Sequence, residues 1–112
     1  MNITQRQQII EIIKKDATLK GRYYEPTTGD ACVIGGLALA AGVNPRILGY
    51  CGGLPISNLD SWVTHIRKLL RDRFGIDEEQ ALRLQRTNDY KDNTAFRRES
   101  LIQVVNGFPV TD

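Results

Sequence analysis

The sequence is poor in the residues that build metal centres and disulfide frameworks: two cysteines, one histidine and one tryptophan in 112 residues. Cys32 and Cys51 cannot supply the disulfide framework of a small secreted domain. A chain of this length buries roughly two-thirds of its unfolded surface and needs no such staple. With His65 as the one histidine, there is no Cys-x-x-Cys or His-x-x-x-His pair to organise structural zinc. Neither a metal nor a cofactor is expected. Long hydrophobic runs are also missing. The longest uncharged, mostly apolar stretch, Ala31 to Pro45, is about fifteen residues, short of the roughly twenty a bilayer requires. No membrane association is expected. Charge of one sign is scarce as well: fifteen Lys and Arg face thirteen Asp and Glu, a net charge of +2. So small an excess argues for a nucleic-acid or anionic partner only where the basic residues cluster. The opening residues Met1 to Gln8 are polar and lack the apolar core of a secretory leader. The expectation is a cytoplasmic protein.

What is present is ordinary for a globular domain, with 41% hydrophobic and 25% charged residues. No repeat or low-complexity tract divides it, so one domain over 1–112 is expected. Helical punctuation is clear. Thr4 with Gln7 reads as a capping box, and Ile9, Ile10, Ile12 and Ile13 give an apolar face at helical spacing, ending near Asp16. The segment 21–30 is rich in turn formers, with a short hairpin rung expected at Arg22 to Tyr24. Asp30 then reads as the cap of a second helix over about 31–41, stopped by Gly42.

That second helix is the most informative stretch. Ala31, Gly35, Ala38 and Gly42 form one row of small residues. Cys32, Gly36, Leu39 and Val43 form the next, and Ile34, Leu37 and Ala41 another. A helix apolar on every side is a buried one. Two interior glycines cost about 1 kcal/mol each relative to alanine, and close packing of a neighbour offsets that. This helix is expected to be the hub of the fold.

Asn44-Pro45 starts a short third helix through Tyr50, and Gly52-Gly53 with Pro55 forces a loop. Ser57 with Asp60 opens a fourth, with Trp62, Val63, Ile66, Leu69, Leu70 and Phe74 inward and Gly75 as its stop. Asp77 with Gln80 caps a fifth, carrying Ala81, Leu82 and Leu84. A last helix carries Phe96, Leu101, Val104 and Val105 and ends at Gly107. The predicted fold is mainly α, a compact single-domain bundle of about six helices around a buried central one.

Few constellations suggest chemistry. Cys32 stands at a helix amino terminus, where backbone dipoles can lower a thiol's pKa. With His65 and Asp89 downstream it follows the chain order of a cysteine-dependent hydrolase or transferase. Any chain with one histidine meets that order, and free cysteine is among the most buried residue types, so packing is the preferred reading. The glycines from Gly29 to Gly36 lack the Lys and Ser/Thr of a phosphate loop. Leu37 to Leu48 scans like a helix-turn-helix, with Asn44, Arg46 and Tyr50 as its contacts. Its first helix lacks a solvated face, so DNA binding is the alternative and is not favoured. Basic residues gather later: Arg67, Lys68 and Arg71 on the fourth helix, Arg97 and Arg98 on the sixth. With the aromatic loop Arg22-Tyr23-Tyr24 they make the preferred binding surface.

One pattern extends across most of the chain. A leading helix is followed by the aromatic turn at 21–24, then Cys32-Val33-Ile34-Gly35-Gly36-Leu37-Ala38, and finally Asn88-Asp89 before a terminal helix. This resembles a family of small bacterial and phage proteins classed as a domain of unknown function, whose members carry a Cys-Ala-Ile-Gly-Ala-Leu run and a later Trp-Asn-Asp. Thr87 stands where that tryptophan would be, and the middle of this chain is longer. The resemblance implies a compact helical domain and carries no mechanism. The expected function is that of a non-enzymatic protein-binding or regulatory module, acting on a host protein if phage-associated, with a homodimer as one form it takes.

Overall fold

The computed structural model describes residues 1–50, 56–90 and 92–111, and the side chains at 49–50 and 56–62 lie outside that description. Among the described residues there are six helices: α1 (Ile3–Lys15), α2 (Val33–Ala40), α3 (Pro45–Tyr50), α4 (Ile56–Phe74), α5 (Glu78–Tyr90) and α6 (Thr94–Asn106). The expected mainly α bundle is what the chain forms. None of these helices is long and apolar enough to cross a membrane. The Cα radius of gyration is 13.1 Å, close to the ~13 Å of a compact domain of this length, so the helices form one body.

Each helix begins and ends for a local reason. A capping box opens α1, but it is Asn2 with Gln5 rather than Thr4 with Gln7. Both pairs fit the same sequence rule, and the earlier one extends the helix by a few residues. The Asp77–Gln80 box opens α5 as expected, with bonds of 3.0 and 2.7 Å. Gly42 ends α2 at φ +98°. Its N–H donates to Leu39 O and the Val43 N–H donates back to Ala38 O, each at 3.0 Å. This is the Schellman arrangement that satisfies the last carbonyls of a helix. Gly75 ends α4 in the same left-handed region.

Helix α2 is the centre. Val33 through Ala38 are all buried, and α2 packs on α1, α4 and α5. Exposure returns only at its end, at Ala40. Around it stand Ile9, Ile10 and Ile13 of α1, Ile66, Leu70 and Phe74 of α4, Ala81 and Leu84 of α5, and Leu101 and Val105 of α6. Burying a Leu, Ile or Phe side chain contributes about 1.5–3 kcal/mol, so this cluster is the main stabilising mass.

Three expectations are corrected. The cap of α2 is Cys32, not Asp30: the Asp30 carboxylate instead accepts from Thr18 Oγ1 at 3.0 Å. The hairpin is a single bridge, Tyr24 to Ala31. It cannot extend, because Pro26 to Gly29 turn the chain on one side and α2 begins on the other. In α6 the inward row is Arg97, Leu101 and Val105, and Phe96 is 63% exposed.

Candidate functional site

The amino end of α2 is where the resemblance-bearing residues meet. The Gly35 N–H donates to Cys32 Sγ at 3.3 Å, and the Cys32 N–H donates to Tyr23 O at 3.2 Å. Asn88 is fully buried across from them. Its Oδ1 accepts from the Val33 N–H, and its Nδ2 donates to Leu19 O, both at 3.0 Å. Asp89 Oδ1 accepts from the Gly21 N–H at 3.0 Å and from Asn88 Nδ2 at 3.2 Å. The loop between α1 and α2 is thus strapped to the end of α5. Buried polar groups need such partners, since an unsatisfied one costs about 1–3 kcal/mol. The arrangement is structural: Asn88 and Asp89 satisfy backbone groups that the loop leaves unpaired.

Cys32 and Asp89 lie close together, whereas His65 is on the exposed side of α4. Cys32 is 4% exposed, and burial pushes its thiol up to about 11. Asp89 lies near enough to act on the sulfur, and its negative charge raises the pKa further. His65 stands exposed on α4 and is not among the groups acting on that thiol. Helix-terminal N–H groups do oppose the shift, as the sequence suggested, but desolvation outweighs them.

The DNA-reading residues also have mundane placements. Asn44 Oδ1 accepts from the Arg46 N–H at 2.9 Å, which caps α3. Arg46 is exposed on a helix of six residues, and the Tyr50 side chain lies outside the described residues. The partner helix α2 is buried where a groove-crossing helix shows a solvated face.

Of the eight residues in the preferred binding surface, four are partly or fully buried, Tyr23, Tyr24, Arg97 and Arg98, while Arg22 stays exposed. Arg22 is paired with Glu25 at 2.7 Å, and Tyr23 and Tyr24 pack partly buried against the core. Arg97 is 3% exposed, and its Nη1 donates to Ala17 O at 2.9 Å. Arg98 donates to Asp16 O at 2.9 Å and to Lys15 O at 3.2 Å. Both arginines satisfy the carbonyls at the end of α1, where cations complement the helix dipole. They read as a basic row in sequence because periodicity cannot show that another chain segment runs beside them.

Arg67, Lys68 and Arg71 remain, and these do come together. With Thr64 they occupy positions i, i+3, i+4 and i+7 of α4, and they line one hollow of about 350 Å³ whose far wall is Glu78 of α5. Arg67 Nη1 reaches Glu78 Oε1 at 2.7 Å. Lys68 and Arg71 enter no ion pair among the described residues. Sequence reasoning found the three cations and missed Glu78, which arrives from the next helix. A second, larger hollow of about 670 Å³ runs along α1, walled by Ile3, Ile12, Ala40 and Phe74. Polar side chains, Gln7 and Gln8 with Glu11 and Arg73 among them, complete its lining.

The fold and this geometry define an all-α bundle with a sealed thiol at its centre and, among the described residues, a basic hollow on its surface. No protein-family model, no curated protein sequence and no solved structure matches the chain.

Proposed function

We propose that the chain is a non-enzymatic helical binding module that docks a partner protein through the basic face of α4. One observation carries this reading: Arg67, Lys68 and Arg71 share one hollow, and among the described residues two of the three have no ionic partner. Cations grouped in this way create a local positive potential that steers and orients an oppositely charged partner. The burial of Cys32 supports the non-enzymatic side, because a thiol held near pH 11 is a poor nucleophile at neutral pH. The reading fits a reducing cytoplasm, in which Cys32 stays a free thiol. The resemblance to small bacterial and phage proteins makes a host-cell protein the first partner to seek.

Affinity capture from cell extract tests the reading. The unaltered chain and a Lys68→Glu, Arg71→Glu chain are compared side by side at about 50 and 300 mM salt, a range over which screening of exposed charges grows strongly. A protein retained by the first chain, lost from the second and released by salt is the expected result. Turnover of an ester, peptide or nucleotide that depends on Cys32 would overturn it.

A further inference from the structure

The basic hollow on α4 has a feature that specifies its partner's chemistry. Its positive wall is a single helix face, with Arg67 and Arg71 one turn apart, a rise of about 6 Å. Its opposite wall already contains a carboxylate, and that carboxylate holds Arg67 at 2.7 Å. Glu78 is exposed, so the pair is a surface contact that an incoming group can displace.

Resting on the binding role above, we infer that the hollow takes an acidic helical segment of a protein, whose carboxylates replace Glu78 on Arg67 and meet Lys68 and Arg71. Carboxylates one turn apart (i, i+4) on a partner helix repeat the separation of about 6 Å between Arg67 and Arg71, and Lys68 stands beside Arg67 to meet a further acidic group. Glu78 is then an internal competitor that weakens binding until the partner supplies more than one carboxylate. Its position also selects against a nucleic-acid backbone. A phosphodiester strand carries charge every ~3.4 Å along its axis and cannot skip a position. It would run onto Glu78 and onto Asp77 and Glu79, which flank it exposed at the start of α5. Discrete carboxylates on a helix avoid them.

The test uses the full chain and three probes: a peptide of about twenty residues with glutamates on one helical face, a scrambled peptide of the same composition, and a short DNA duplex, each labelled for fluorescence anisotropy. An exposed ion pair contributes a factor of about two to five in affinity. The patterned peptide is therefore expected to bind at least about tenfold more tightly than the scrambled one. The Lys68→Glu, Arg71→Glu chain should lose that preference. Glu78→Gln should tighten binding two- to fivefold, a gain that no folding defect can mimic. Equal binding of both peptides, tighter binding of the duplex, or a Glu78→Gln chain that binds the peptide no better would overturn the inference. The two readings fail differently. If the binding role is wrong, the unaltered chain retains neither peptide nor extract protein. If only this inference is wrong, an extract protein is retained by the unaltered chain and lost from the doubly altered one, while the patterned peptide binds no better than the scrambled one.

Discussion

Replacing Gly35 by alanine sets two physical effects against each other with opposite signs. Helix propensity alone favours the change by about 1 kcal/mol, because glycine loses the most backbone entropy in a helix interior. The tertiary structure opposes it. A Cβ at position 35 would stand 1.9 Å from Tyr23 O and 2.8 Å from Tyr23 C, both backbone atoms. Carbon and oxygen cannot approach so closely, and no rotamer change can relieve it, so the loop must retreat by roughly 1 Å or more. The first bond to break is the one from the Cys32 N–H to Tyr23 O, and the Tyr24–Ala31 bridge sits beside it. Overpacking costs about 1–3 kcal/mol, and an orphaned buried backbone group costs about 1–3 more. Against a gain of about 1, the net loss is about 1–5 kcal/mol. That lowers Tm by roughly 5–25 °C in a domain of this size. Thermal unfolding followed by far-UV circular dichroism measures it. A Gly35→Ala chain that melts at or above the temperature of the unaltered chain would refute the close approach of loop and helix. Gly36→Ala should act in the same direction with a smaller effect, since the nearest atoms its Cβ would meet, at 2.8–3.0 Å, all belong to the Asp16 side chain.

Asn88→Leu fills similar volume but strands the Val33 N–H and Leu19 O, so urea unfolding should show a loss of about 2–5 kcal/mol at unchanged m-value. A loss below about 0.5 kcal/mol would mean the strap is not stabilising. With Cys51→Ser as background, alkylation of Cys32 at pH 8 should run at least about 100-fold slower in the folded chain than in urea, given a thiol raised from 9.0 to about 11. Rapid labelling of the folded chain would revive the nucleophile. The same shift has a pH consequence: the neutral thiol belongs to the folded state, so its contribution to stability is whole below pH 9.0 and is lost as pH rises towards about 11. Asp16 is shifted in the same direction by burial, against the pull of Lys15 and Arg98, and it sits at the carboxyl end of α1, where negative charge is unfavourable. Asp16→Asn should therefore raise Tm by a small increment at pH 7. The increment should vanish below the ordinary carboxylate pKa of 3.8, where both side chains are neutral, and differential scanning calorimetry at the two pH values checks this.

Much of the fold was legible in local pattern. The isoleucines of α1, the Ile66, Leu70 and Phe74 row of α4, the Asp77–Gln80 box and the glycine stops at 42, 75 and 107 follow from spacing and capping chemistry that act within a few residues. So did the burial of α2, because a helix without a polar face has nowhere else to lie. The registers that slipped did so where two local solutions compete: Asn2 and Thr4 are both good caps, and Asp30 and Cys32 both precede the same helix. Of the surface, the grouping of Arg67, Lys68 and Arg71 on α4 was readable, since a helix displays its own periodicity.

The sequence by itself determined the class, the number of helices and the hub, because each rests on hydrophobic periodicity and turn residues whose effects are short-ranged. Only the tertiary structure decided which charges face water. Arg97 and Arg98 look no different from Arg67 and Arg71 in sequence. They turn towards the carbonyls that follow α1, eighty residues away in the chain, with Arg97 bonded in the buried interior and Arg98 at its edge. Glu78 gained its place opposite Arg67 for the same reason of geometry: two helices had to pack before one could supply the other's counter-ion. Partnership between distant residues is a property of packing, and it is there that the basic hollow was separated from the structural arginines.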